Sequence, residues 1–205
     1  MNLAVIAFSS FMIALSGALV PGPLFTITVS ESARRGASTG PFLILGHAIL
    51  EILIIILILS GLSPLLKHET TRYIISLVGG SMLVLMGIMI LKDLRSVRLD
   101  LSAEQRKKEM NLVLTGIVGS LANPYWIIWW ATIGLGYLVS SMKYGIAGVV
   151  VFFLGHIFAD LAWYSVISYA VARGRKVMGE NTYKTVLAIC AVFLILFGAW
   201  FIKSA

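Results

Sequence analysis

The sequence predicts an all-α integral membrane protein. Six transmembrane helices form two inverted three-helix repeats, and the first helix of each repeat is broken. Three observations predict this. Of 205 residues, 59% are hydrophobic and only 12% charged, with a mean hydropathy of +0.96, too little polar surface for a soluble domain of this length. A window of about 20 residues finds six apolar spans, at roughly 3–30, 40–63, 72–91, 112–140, 144–171 and 184–202. One long hydrophilic segment divides them three and three. An odd number of spans per half makes related halves cross the membrane in opposite directions.

The first span opens Met-Asn-Leu-Ala-Val without Lys or Arg. It lacks the basic region of a cleaved signal and reads as a mature helix. It is broken at Leu19–Phe25, "LVPGPLF". Proline removes a backbone donor and clashes with the preceding turn, so the helix stops near Pro21, Gly22 gives the backbone freedom, and Pro23 starts a new half-helix. The second span carries "GHAILE", Gly46–Glu51. In the third, Ser76-x-x-x-Gly80 marks a close helix contact. The hydrophilic segment from Asp93 to Met110 reads as a solvated linker. Its Ser102-x-x-Gln105 spacing leaves a short surface helix as the alternative.

The chain thus divides into a first repeat at 1–93, a cytoplasmic linker at 94–110 and a second repeat at 111–205, within one membrane domain. The fourth span has a second small-residue spacing, Gly116-x-x-x-Ser120, and a second break, "LANPYW" at Leu121–Trp126. Asn123 suits an N-cap and Pro124 the first helical position, so another half-helix starts there. Tyr125, Trp126, Trp129 and Trp130 follow, either packing or enclosing a ligand. The fifth span repeats the motif of the second as "GHIFAD", Gly155–Asp160, 109 positions later, with Tyr164 one turn beyond. The sixth holds Cys190, the single cysteine, which excludes a disulfide framework or a Cys-rich metal site.

Positive charge sets the orientation. Twelve Lys and Arg lie in the first, third and fifth loops and four on the opposite side. This places both termini outside and the basic loops in the cytoplasm of a prokaryotic cell. The net charge of +7 then reflects topology and attraction to anionic lipid, and no nucleic-acid partner is expected.

The repeated motif carries the chemistry. His47 and Glu51 share one helix face, as do His156 and Asp160. A carboxylate deep in a bilayer costs several kcal/mol, so Glu51 and Asp160 mark a pathway or binding site at the midplane. Gly46 and Gly155 permit close helix approach. The two half-helix starts point free N–H groups inward, an arrangement that suits a carboxylate anion.

Together the six spans, Pro21-Gly22-Pro23 followed by a basic loop, and Asn123-Pro124 at the start of the second half resemble the LysE/RhtB family of amino-acid exporters, over essentially the whole chain. The resemblance implies ion-driven export of amino acids, such as lysine, arginine or threonine, or of homoserine lactone, by a homo-oligomer; no cofactor is expected. It implies a central substrate site built from Pro21, Gly22, Pro23, Asn123 and Pro124, with Glu51 as the carboxylate of the second span. His47 and His156 stand outside that pattern.

The expected function is therefore a secondary exporter of amino acids or similar amino compounds. The helix starts hold the carboxylate, Glu51 and Asp160 hold the amino group or a proton, and His47 and His156 relay that proton. The alternative is a divalent-metal exporter with His47, Glu51, His156 and Asp160 as ligands. An enzyme is not expected, because His-Glu-x-x-His and glycine-rich phosphate loops are absent.

Overall fold

The computed structural model describes residues 2–62, 68–94, 110–174 and 180–203. Among the described residues the chain is largely helical with no strand, and helices lie within each predicted apolar stretch, with non-helical breaks at 19–22 and 122–123. The Ser102–Gln105 spacing and the linker that contains it lie outside the described residues.

Both predicted breaks are present, and each has its own local cause. Helix α1 (Leu3–Ala18) ends four residues before α2 (Pro23–Arg35), and the two axes bend by 77°. Gly22 is the N-cap of α2 and Pro23 its first residue. Helix α3 (Thr39–Leu57) runs into a π-turn at Ile58–Leu62, and α4 spans Glu69–Asp93. Helix α5 (Leu112–Leu121) stops at the second break, where Asn123 Oδ1 accepts from Tyr125 N at 3.1 Å and starts α6 (Pro124–Trp129). A π-turn at Trp130–Gly134 joins α6 to α7 (Leu135–Ser141). The chain then reverses through Met142–Tyr144 and Gly145, whose φ of +63° an L side chain rarely adopts. Helix α8 (Gly145–Gly174) runs back beside α7, with the rings of Tyr137 and Phe152 6.0 Å apart. Helix α9 (Glu180–Lys203) closes the chain.

Among the described residues, Thr39–Gly61, Glu69–Lys92 and the folded-back stretch Pro124–Gly174 are long and apolar enough to cross a membrane. The bent pair Leu3–Ala18 and Pro23–Arg35 qualifies as one further, broken span. Large apolar side chains such as Phe8, Ile146, Phe158 and Leu196 point outward, more than 60% exposed. Helices of this kind need an apolar solvent around them.

Glycines set the helix contacts. Helix α3 packs on α5, and α8 packs on α1. A Cβ on Gly46 would lie 1.9 Å from Val113 O, and one on Gly116 would lie 2.0 Å from Leu43 O. A Cβ on Gly155 would lie 2.5 Å from Ala7 O. The glycine of each repeated motif therefore sits where the second helix of one half touches the first helix of the other. Helices α4 and α9 pair along their length, with Gly80 and Gly87 of α4 against Gly198 and Ala191 of α9. The glycine of each small-residue spacing read from the sequence, Gly80 and Gly116, lies at one of these contacts.

Candidate functional site

The two Gly-His-x-x-x-acid stretches meet. Helices α3 and α8 cross so that His47, Glu51, His156 and Asp160, from positions far apart in the chain, form one buried cluster. The four side chains close a ring in which nitrogen and oxygen alternate. His47 Nε2 lies 3.1 Å from Glu51 Oε1, and His156 Nε2 lies 3.0 Å from the same oxygen. Asp160 Oδ2 completes the ring, 3.4 Å from His156 Nε2 and 3.6 Å from His47 Nε2. Glu51 is fully buried, and the other three are at most 7% exposed. Each histidine thus faces both carboxylates, its own at i+4 and the one from the other half.

Residues outside the motif orient the ring. Ser120 Oγ donates to Gly116 O at 2.7 Å, so it accepts from His47 Nδ1 at 2.8 Å. This assigns the proton of His47 to Nδ1 and turns Nε2 toward the carboxylates. Trp130 Nε1 donates to Glu51 Oε1 at 3.1 Å, and Trp126 Nε1 reaches it at 3.4 Å. The π-turn at Trp130–Gly134 and the missing side chain of Gly134 make room for these indoles. A Cβ there would lie 2.7 Å from the Trp129 ring and 2.9 Å from that of Trp130. Trp129 packs against the imidazole of His156, with centroids 4.7 Å apart.

Three polar atoms at or beside the ring have no hydrogen-bond partner although buried, Glu51 Oε2, His156 Nδ1 and Trp129 Nε1, and Asp160 Oδ2 meets the imidazoles only at 3.4 and 3.6 Å. Such groups cost about 1–3 kcal/mol each unless a ligand or water meets them. The space for one is there. A cavity of about 60 Å³ is lined by the four ring residues, by Asn123, Tyr125, Trp126 and Trp129, and by the small residues Ala14, Gly17 and Ala18 of α1. It has room for roughly four waters or a small organic molecule.

The sequence-predicted residues are placed as follows. Glu51, Asp160, His47 and His156 share the cavity wall, and Asn123 joins them from the second break. Pro124 is buried behind Asn123, where a Cβ on Gly79 of α4 would meet it at 2.1 Å. Pro21, Gly22 and Pro23 do not line the cavity. A Cβ on Gly22 would instead lie 3.3 Å from Asn123 Nδ2, so the two breaks adjoin. The start of α6 is capped by Asn123 itself, whereas Gly22 offers α2 no side-chain cap. Tyr164 lies in an apolar cluster with Leu43 and Ile44, and Cys190 is a buried free thiol. Sequence reasoning missed Ser120 as a partner of His47 and gave the tryptophans no specific contact.

Comparison with known proteins agrees over nearly the full length. The chain is 23% identical over 197 residues to the Bacillus subtilis (strain 168) protein named "Putative amino acid efflux protein YcgF", covering 96% of this chain and 94% of that protein. No solved structure matches the chain. The family model described as LysE type translocator matches residues 15–205, and with that match the chain belongs to the LysE type translocator family.

Proposed function

We propose that this protein is a secondary exporter of small neutral amino acids, coupled to protons, and that the ring of His47, Glu51, His156 and Asp160 is its central site. The observation that carries this reading is the convergence of both motifs on one buried cavity that has unpartnered acceptors and an unpartnered donor. Family membership and the efflux protein of Bacillus subtilis support the transport class.

The chemistry of the wall suits a zwitterion. Glu51 Oε2 and Asp160 Oδ2 are acceptors for an ammonium group. Trp129 Nε1 is a donor for a carboxylate, as is the Asn123 amide nitrogen, whose partner oxygen is already used in capping. A lysine or arginine side chain would need a further free carboxylate. Glu51 and Asp160 are the two carboxylates of the cavity wall, both are taken by the α-ammonium, and the cavity is small, so neutral amino acids are the better fit. A proton shared between Nε2 and a carboxylate is displaced when the ammonium arrives, which couples the two cargoes.

The wider arrangement follows from the same reading. Residues 1–93 and 111–205 form two inverted three-helix repeats joined by the cytoplasmic linker 94–110, six spans in all. The packing of α1 on α8, α5 on α3 and α4 on α9 supports this reading, because a twofold axis in the membrane plane would exchange the first two pairs. Arg35 Nη1 donating to Met110 O, and Ser168 Oγ to Ala37 O, bring the start of α5 to the side where α2 and α8 end in Arg34, Arg35 and Arg173, taken as cytoplasmic. The termini are then outside, in the plasma membrane of a prokaryote, and rocking of one repeat against the other exposes the ring to each side in turn. A homo-oligomer is the expected assembly.

The test is ligand-dependent thermal stabilisation of the purified protein in detergent. A ligand at about a hundred times its dissociation constant adds near 2.7 kcal/mol. Stabilisation by glycine, alanine, serine or threonine above lysine and arginine supports the neutral zwitterion. The reverse order overturns that assignment, and no response to any amino acid overturns the transport reading of the cavity.

A further inference from the structure

The ring has a second chemistry that amino-acid transport does not use. We infer that His47, Glu51, His156 and Asp160 also form a four-coordinate site for a divalent transition metal of the Zn²⁺ type, and that an ion held there blocks the cavity instead of passing through it.

The geometry carries this. A tetrahedral Zn²⁺ with bonds of about 2.0–2.1 Å holds its ligand atoms about 3.3–3.4 Å apart. The four consecutive edges of the ring are 3.1, 3.0, 3.4 and 3.6 Å. All four side chains can present ligand atoms within 4.8 Å of one another, and all four are buried. With neutral imidazoles the four carry two negative charges, which one divalent cation cancels in a place where net charge is costly. Two nitrogens and two carboxylate oxygens suit Zn²⁺, Co²⁺ or Cd²⁺ rather than Mg²⁺ or Ca²⁺, which take six or more oxygen ligands.

Two independent observations point the same way. Glu51 Oε2, beside the ring oxygen Oε1, is a fully buried carboxylate oxygen without a hydrogen-bond partner. His47 is already held as metal-ligating histidines are held, its Nδ1 hydrogen-bonded to Ser120 Oγ at 2.8 Å and its Nε2 facing the carboxylates. Because the same carboxylates and imidazoles are assigned to the ammonium and the proton that transport moves, metal and substrate exclude each other.

The experiment uses full-length, tag-free protein in detergent, titrated with ZnCl₂ and, for spectroscopy, CoCl₂. The expected result is one Zn²⁺ per chain, lost in Asp160→Asn and His156→Gln and kept in His68→Ala, which alters the only histidine outside the ring. Co²⁺ gives the intense visible absorption of a four-coordinate ion. Ser120→Ala, which removes no ligand, weakens Zn²⁺ by about 10–100-fold. Absence of Zn²⁺ binding, binding unchanged in Asp160→Asn and His156→Gln, or only the weak absorption of six-coordinate Co²⁺ overturns the site. Should a ring variant fail to fold, the wild-type Co²⁺ spectrum and Ser120→Ala decide alone. Amino-acid stabilisation measured on the same preparation separates the two readings: a response to amino acids without one to Zn²⁺ removes only the metal site.

Discussion

Replacing Gly46 by alanine probes the contact that brings the ring together. A Cβ at that position would lie 1.9 Å from Val113 O, and real Cβ contacts essentially never fall below 3.0 Å, so α3 and α5 must part by at least 1.1 Å. The obstacle is a backbone carbonyl, which cannot rotate away as a side chain does. Overpacking of this kind costs about 1–3 kcal/mol. Parting the helices also stretches the bond from His47 Nδ1 to Ser120 Oγ from 2.8 Å to beyond hydrogen-bond range, adding about 1 kcal/mol. The sum of about 2–4 kcal/mol corresponds to a fall of roughly 5–15 °C in melting temperature for a chain of this size. Gly155→Ala, at 2.5 Å from Ala7 O, should lose less. Gly136→Ala, with no neighbour within 4 Å, should hold or gain up to about 1 kcal/mol from its helical preference. Melts of the three variants in one detergent give the order directly. A Gly46→Ala protein as stable as Gly136→Ala would refute the close approach of α3 and α5.

Other perturbations separate stability from binding. Asn123→Ala removes the cap of α6 and should cost about 1 kcal/mol. Asn123→Asp keeps a capping oxygen, and so should melt normally, yet lose amino-acid stabilisation because a donor becomes a charge facing the substrate carboxylate. Trp130→Phe keeps an aromatic ring but takes one donor from Glu51 and leaves a void where the pyrrole ring was, and should lower stability by at least about 1.5–3 kcal/mol, read by thermal melt. Gly134→Ala should turn the indoles of Trp129 and Trp130, seen as a change in near-ultraviolet circular dichroism with helix content unchanged.

The parts of this fold legible in the sequence were those written in single residues. Pro23 and Pro124 cannot continue a helix, and both stand at the first position of a new one. Glu51 and Asp160 are too costly in an apolar span to lack a role, and the ring accounts for both. Contacts between spans were harder to read. Helices apolar around their whole circumference carry no stripe to show which face turns inward, so the reach of Ser120 to His47 and of Trp130 to Glu51 depends on rotations the periodicity does not encode. The Pro21–Pro23 break looked equivalent to Asn123–Pro124. Only the second enters the cavity wall, because Asn123 has a side chain to extend there and Gly22 has none.

The central claim is that Glu51 and Asp160 form one transport site. Its most direct test is counterflow of a radiolabelled neutral amino acid in proteoliposomes, comparing wild type with Glu51→Gln and Asp160→Asn. Gln keeps an acceptor for the indoles, so both variants should reconstitute as folded protein. Uptake is expected in wild type and is lost in each variant alone. Undiminished counterflow in either variant, at equal reconstitution, would contradict it.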